Sequence, residues 1–311
     1  MNLNTKRSWR ILTCIVLISI LLSIAVSADM GPKPSVRITV EGFNGELCYG
    51  TLLSKYDSTG PSSVWDGNEH HAHHNGNYPH SVLDYDSWKV FAEYSDPDGY
   101  YFLQEAWVLD ENGEFAWTYY PPDSFKILLY FPESSLLITS GIYERYAFDS
   151  YFTAALPEGA FAAHDGAQGE LYTVLELMGV ERSYDYSYEI LSLAARIIIT
   201  ILIEMVIALL FGFRGRKELI LLICVNTVTQ VILNVMLNLI NYSSGYLAFI
   251  AAYIFFEFIV FIIEAVLYSI LMKRMSDEPK SSARCVGYAF TANAVSFIAG
   301  YFTAYFIPGI F

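Results

Sequence analysis

From Ile190 onward the chain is dominated by four apolar blocks, at about 190 to 213, 219 to 240, 246 to 272 and 285 to 307. At ~1.5 Å of rise per residue each is long enough to cross a hydrocarbon core of ~30 Å, so the pattern predicts four transmembrane helices. Residues 29 to 189 follow a different rhythm, with short apolar runs separated by Gly, Pro, Ser and Asp. "SVRITVEGF" and "ELCYGTLLS" are strand candidates, and "YYFLQEAWVLDENGEFAWTYY" sets Asn112 and Gly113 between two aromatic and β-branched runs, which predicts a hairpin. "SFKILLYFPESSLLITSGIY" offers two more strands around a turn containing Pro132. Turn signals roughly every eight to twelve positions predict an all-β, sandwich-like antiparallel domain, not a βα fold. The stretch from Leu156 to Ser187 is weakly patterned, and its "SYDYSYE" end reads as an aromatic, amphipathic lead into the first span.

The N-terminus carries a third pattern. Lys6, Arg7 and Arg10 precede an apolar run from Ile11 to Val26, and "VSA" leads into Asp29. This is the order of a secretory signal peptide over residues 1 to 28, cleaved after Ala28. About sixteen apolar residues is short for a membrane anchor, which needs ~20.

Composition agrees with a membrane protein: 311 residues with a mean hydropathy of +0.36 and only 16% charged positions are too apolar for two soluble domains. Residues 29 to 189 hold 26 Asp and Glu against 7 Lys and Arg, a balance of 7 − 26 = −19. That argues against nucleic acid as a partner. Cys14, Cys48, Cys224 and Cys285 are scattered, with no C-x-x-C pair, so neither a disulfide framework nor a thiolate metal site is expected. Arg214, Arg216 and Lys217 lie between the first two blocks, and Lys273, Arg274, Lys280 and Arg284 between the last two, whereas "NYSSG" between the middle two has no charge. Basic loops stay in the cytoplasm, so loops 214–218 and 273–284 are predicted inside. The acidic domain and the terminal "PGIF" are then outside, as export by the leader also requires.

The apolar blocks carry polar stripes. Arg196, Thr200 and Glu204 share a face of the first, and Asn226, Gln230, Asn234 and Asn238 a face of the second, with Thr229 beside them. Glu257 and Glu264 share a face of the third, flanked by Tyr253 and Tyr268, and Asn293, Ser296 and Gly300 follow in the fourth. Counted from the cytoplasmic ends, Glu204, Asn226, Glu264 and Asn293 are all roughly 10 to 14 Å deep. They are predicted to form one inward-facing layer, the amides of Asn226 and Asn293 donating to Glu204 and Glu264. Thr200, Thr229, Gln230, Glu257 and Ser296 are secondary members. Such a layer can tie helices together, or bind a proton or cation in a small carrier or channel; intramembrane hydrolysis is a third reading.

Outside the spans, "WDGNEHHAHHNGNYPH" gathers Glu69, His70, His71, His73 and His74, donors suited to Zn or another divalent metal, although the spacing matches no H-E-x-x-H helix pair. "SDPDGYY" has Asp96, Asp98 and Gly99 but lacks the remaining ligands of a calcium loop and reads as a Pro-Asp-Gly turn. His164-Asp165 has no serine partner in a G-x-S-x-G context, so no catalytic residues and no resident cofactor are assigned.

The stretches "ADMGPKPS", "CYGTLLS", "STGPSSVWDG", "GIYERYAFDSYF", "IEMVIALLFGFR", "VNTVTQ" and "YAFTANAVSFIAG" together resemble a group of uncharacterised envelope membrane proteins of gut-type Firmicutes. The resemblance covers nearly the whole chain and implies a leader, an exported domain and four spans. It carries over no activity. The expectation is a bacterial, multi-pass cell-membrane protein whose β-rich domain at 29–189 meets an envelope ligand or protein and whose helical domain at 190–311 meets lipid. A non-enzymatic binding, sensing or anchoring role is the leading reading.

Overall fold

Burial alternates along the first strand: Val36, Ile38 and Val40 point inward while Arg37 and Glu41 face solvent, the period of two that the sequence predicts. The structure, a computed structural model, describes residues 31–74, 76, 78, 80–161, 173–177, 179–275 and 280–306. The leader and its cleavage point, His164, Asp165 and the terminal "PGIF" lie outside the described residues.

The β region contains β1 (Ser35–Glu41), β2 (Tyr49–Ser54), the short β3 (Ser58–Thr59) and β4 (Ser62–Ser63), helix α1 (Tyr85–Glu93), β5 (Trp107–Val108), β6 (Glu114–Trp117) and β7 (Ser124–Phe131). It continues with β8 (Leu136–Thr139), β9 (Tyr143–Glu144), β10 (Asp149–Ala155), β11 (Thr173–Glu176) and β12 (Gly179–Arg182). One sheet has the order β12-β10-β1-β6; the other runs β11-β8-β7-β2-β5, with β9 also on β7. Val36, Ile38 and Phe152 of the first sheet and Leu52, Ile127 and Leu129 of the second belong to one buried cluster, so the two sheets enclose a common core. β7 is buried almost throughout because its opposite face, with Leu128 and Tyr130, packs against Trp88, Val90 and Phe91 of α1.

Two expectations are corrected here. The region is not all-β and not purely antiparallel: β1 pairs with β10, and β11 with β8, in parallel, and α1 forms a third layer. The cues for α1 lie in "DYDSWKVFAEY", where the Asp84 side chain accepts from Ser87 N at 2.7 Å as N-cap while Trp88 and Phe91 share a face. The Asn112-Gly113 turn does form, with Gly113 at φ 75° and Asp110 N donating to Glu114 O at 2.9 Å. Its two arms nevertheless part, β5 pairing with β2 in one sheet and β6 with β1 in the other. Gly113 N donates to Asp110 O at 2.9 Å within the turn, and its carbonyl accepts from Val40 N at 2.9 Å, extending the β1–β6 ladder. By contrast, β7 and β8 make the expected antiparallel hairpin around Pro132.

The remaining chain is helical: α2 (Tyr186–Leu210), α3 (Arg216–Met275) and α4 (Ser282–Phe306). α2, through Leu193–Leu210, and α3 are long and apolar enough to cross a membrane. α3 is broken at Gly245, whose φ of 79° and ψ of 178° are non-helical. Its arms fold back on each other, since Thr229 bonds Glu264 and Asn226 bonds Tyr268, pairs placed nearly symmetrically about a point just after Gly245. The described residues from Tyr186 onward thus form four helical rods, and Ala208, Leu222, Tyr268 and Tyr288, one from each, share a buried cluster.

Candidate functional site

Within these rods the polarity is reversed relative to a soluble bundle. Glu204, Asn226 and Glu264 are wholly buried and Asn293 nearly so, while Leu202, Ile232, Phe258 and Phe290 on the outward faces are more than half exposed. Helical periodicity causes this arrangement: the polar residues recur at three- and four-residue intervals and fall on the inward stripe.

At the centre of the layer, Glu264 Oε1 accepts from Thr229 Oγ1 at 2.7 Å and Oε2 from Asn293 Nδ2 at 2.7 Å. One carboxylate thereby joins three rods, and both of its oxygens are satisfied. Tyr268 donates its hydroxyl to Asn226 Oδ1, and Tyr288 its hydroxyl to the Glu204 carbonyl at 3.4 Å. Thr229 is therefore a direct partner in the layer and not a bystander. Tyr268 flanks the Glu264 face in the sequence, whereas nothing there singles out Tyr288, and an aromatic ring in an apolar helix carries no sign of where its hydroxyl ends.

The expected Asn226–Glu204 hydrogen bond does not form. Asn226 Nδ2 and both carboxylate oxygens of Glu204 are buried without a hydrogen-bond partner in the protein. Asn226 and Ser296 lie beside the Glu204 carboxylate, close enough to act on it, but neither completes a bond of ordinary geometry. Arg196 donates to Asn238 Oδ1 at 3.3 Å, so that part of its guanidinium is engaged two turns nearer the Gly245 end than Glu204. Gln230 and Asn234 bond each other along their own helix at 3.3 Å. A narrow cavity of ≈ 10 Å³ lies between Arg196, Thr200, Gln230, Tyr253, Glu257 and Ser296, toward the Gly245 end of the rods. That is room for about one water molecule.

A second feature sits where the β region meets the Gly245 bend. Phe148 N donates to Tyr242 O at 2.8 Å, and the Phe148 ring fills the space that a Cβ on Gly245 would occupy, 2.5 Å away. Tyr146, Tyr184 and Tyr242 cluster around this seat, with Arg182 stacked 4.6 Å over the Tyr146 ring. Beside it opens a groove of ≈ 690 Å³ lined by residues that include Lys55, Asp123, Arg145, Tyr146 and Ser243. Arg145 is held there by Asp123 through Nε at 3.1 Å and through a second guanidinium nitrogen.

The histidine-rich loop distributes its rings. His71 Nδ1 meets Asp66 at 2.8 Å on the surface, His73 stacks on Tyr78 with centroids 3.9 Å apart, and His74 packs edge-on to Tyr85. Glu69 and His70 belong to an exposed turn, Glu69–His71. Among the described residues no three His, Cys, Asp or Glu side chains are grouped to hold a metal. Burial lowers the pKa of His73 from the usual 6.5, against a raising contribution from its Gln104 contact, and its Nδ1 has no partner. Its neutral form is favoured by folding, so the stability it contributes is present above pH ~6.5 and is lost as pH falls through the folded-state value. In chelator-containing buffer, His73→Gln should flatten the fall in Tm between pH 7.5 and 5.5; an unchanged slope would show that His73 does not control it.

"SDPDGYY" is a turn with an unforeseen partner. Asp96 accepts from Asp98 N at 3.0 Å and Tyr100 N at 3.2 Å, and Lys126 of β7 reaches Asp96 at 2.5 Å and Asp98 at 2.9 Å. An ammonium occupies the place the calcium-like spacing suggests for a cation. No family model matches the chain, and no curated protein and no solved structure matches it.

Proposed function

We propose that the chain is a multi-pass protein of a bacterial cell membrane, non-enzymatic, in which an extracytoplasmic β-rich domain binds an envelope ligand or protein and the helical rods anchor it and transmit its state. The observation that carries the reading is the seat of Phe148 on Gly245, which joins the exterior domain directly to the bend between two rods. An anchor alone would need only a flexible tether, whereas this contact lets a shift in the β region bear on the rods. The apolar outward faces of the rods support lipid as their surroundings, since so much exposed apolar area is otherwise costly in water. Tyrosines around the seat suit the headgroup level of a bilayer, where an aromatic body and a polar tip are both accommodated. The groove beside the seat is the candidate ligand site: it offers Lys55, Arg145 and several hydroxyls.

Threading can be tested on the full chain in cells, with the native cysteines replaced by alanine. Ser243→Cys should react with a membrane-impermeant maleimide from outside, and Ser281→Cys only after permeabilisation. Labelling of Ser281→Cys in intact cells would reverse the topology and remove the exterior-domain reading.

A further inference from the structure

A second pocket of the β region, with a lining separate from that of the groove at the seat, opens where three segments meet: the chain after β4, the C-terminal end of α1 and the Asp96 turn. Its volume is ≈ 360 Å³, and Trp65, Glu93, Tyr94, Asp96, Tyr101 and Phe102 are among the residues that line it. That is the small end of the range for small-molecule sites. Tyr101 is 46% exposed, whereas Phe102 is buried and stacks on Phe91 of α1 with centroids 5.1 Å apart. Trp65 is half-buried and held edge-on to the buried Trp88, at 5.0 Å between centroids. The core thus fixes aromatic rings in the wall of an open pocket.

The nitrogen donors of this lining are engaged elsewhere. Trp65 Nε1 donates to Asn68 O at 2.9 Å. The backbone N–H groups of Tyr94, Gly99 and Tyr101 donate to Phe91 O, Asp96 O and Ser54 O, and that of Tyr100 to the Asp96 carboxylate. Acceptors remain. The last carbonyls of an α-helix have no intrahelical partner and form the negative end of its dipole, and those of α1 end at this pocket, at Ala92 and Glu93. The Glu93 carboxylate reaches Lys89 at 3.6 Å with both side chains about half exposed, a pair that solvent screens and that is easily exchanged. Asp96 adds no net charge, since Lys126 neutralises it. No Lys, Arg or His is among the lining residues.

Ring faces, spare acceptors and a wall without cations are together complementary to a positive charge that carries apolar substituents. An inorganic cation would need a cage of oxygens, which ring faces do not supply. A sugar would need donors for its hydroxyl oxygens as well as acceptors, and the nitrogen donors here are already committed. We propose that this pocket binds a small organic cation, an ammonium bearing methyl or methylene groups, with its charge against the Trp65 and Tyr101 rings and balanced by Glu93. The site stands whether or not the groove at the seat takes a ligand, and whichever side of a membrane the β region occupies.

The test uses the full chain purified in a polyoxyethylene detergent, with choline chloride as the probe and sodium chloride at equal ionic strength as the reference. Choline should raise Tm saturably and bind once per chain by calorimetry. The neutral alcohol of the same shape, with a tert-butyl group in place of trimethylammonium, should bind about tenfold more weakly. Trp65→Leu, which keeps an apolar side chain but removes the ring face, should weaken choline binding about tenfold. Tyr101→Leu, at an exposed position, should weaken it about threefold and keeps the test valid if the Trp65 variant does not fold. Neither a binding heat nor a Tm shift at about 10 mM choline would overturn the proposal. So would equal affinity for the neutral alcohol, which makes the pocket merely apolar, or choline binding unchanged in both variants, which places it elsewhere. Binding of glucose in place of choline would assign the pocket to a glycan and overturn it as well.

Discussion

Gly245→Ala is expected to destabilise the protein by about 2–6 kcal/mol, more than any conservative change on the outward faces of the rods. Two effects add. At φ 79° and ψ 178° the residue occupies a region essentially reserved for glycine, where a side chain costs about 1–3 kcal/mol. The new methyl would also lie 2.5 Å from the Phe148 ring, and overpacking of that kind costs a further 1–3 kcal/mol. Trp65, Trp88, Trp107 and Trp117 all lie in the β region, so with Trp9 replaced by Phe, tryptophan fluorescence reports that region while circular dichroism at 222 nm is dominated by the rods. If the seat couples the two, both transitions should move together by several degrees. A fall confined to the helical signal would remove the transmission part of the proposed function. Phe148→Leu should relieve the ring contact and recover part of the loss, leaving the backbone cost.

Lys126→Met should be comparably damaging, by about 3–5 kcal/mol, because it strands a buried charge. The Asp96 side chain is fully buried and that of Lys126 is 4% exposed, so water cannot replace the lost partner. Burial works to lower the pKa of Lys126, and the hydrogen bonds and charges of Asp96 and Asp98 outweigh it and raise the pKa above the usual 10.5. The stability from this pair is therefore complete below pH ~10.5 and is lost as pH rises through the folded-state value, so neutral and mildly acidic buffers should not touch it. Asp98→Asn should cost less than ~1 kcal/mol, since that side chain is 51% exposed. The double change Lys126→Met, Asp96→Asn keeps the turn-forming oxygen but removes both charges, and should recover most of the stability lost in Lys126→Met. Urea unfolding of the unchanged protein, Lys126→Met, Asp96→Asn and the double variant checks the pattern, and simple additivity of the two single changes would show that the pair does not act as a unit.

The two regions differ in how far local pattern reveals them. In the rods, polar residues at three- and four-residue spacing must share a helical face whatever the tertiary fold, and counting from the ends of the apolar blocks gives their levels along the rods. The positions of Glu204, Asn226, Glu264 and Asn293 on inward faces could be read on that ground alone. Which atom bonds which could not, because side-chain partners depend on rod rotation within a few degrees. Hence Asn293 meets Glu264 as expected, while Asn226 turns to Tyr268 and leaves Glu204 without a hydrogen bond. In the β region, alternation in β1 and the β7–β8 turn are local properties, and both are plain in the sequence. The parallel β1–β10 ladder joins residues 114 apart, from Ser35 with Asp149 onward, and no local pattern encodes such a pairing. Gly113 illustrates the boundary: its turn is dictated by "DENG", but whether the two arms stay together is decided by which sheet each can complete.

The amino-acid sequence by itself determined where apolar and polar faces lie, which loops are basic and where the chain must turn, because these follow from backbone period and residue chemistry over a few neighbours. Only the tertiary structure decided that Lys126 neutralises the Asp96 turn, that Phe148 rests on Gly245 and that Glu204 is left with oxygens in excess. Each of those depends on groups far apart in the chain meeting at hydrogen-bond or van der Waals distance, and contacts of that range are set by packing of the whole.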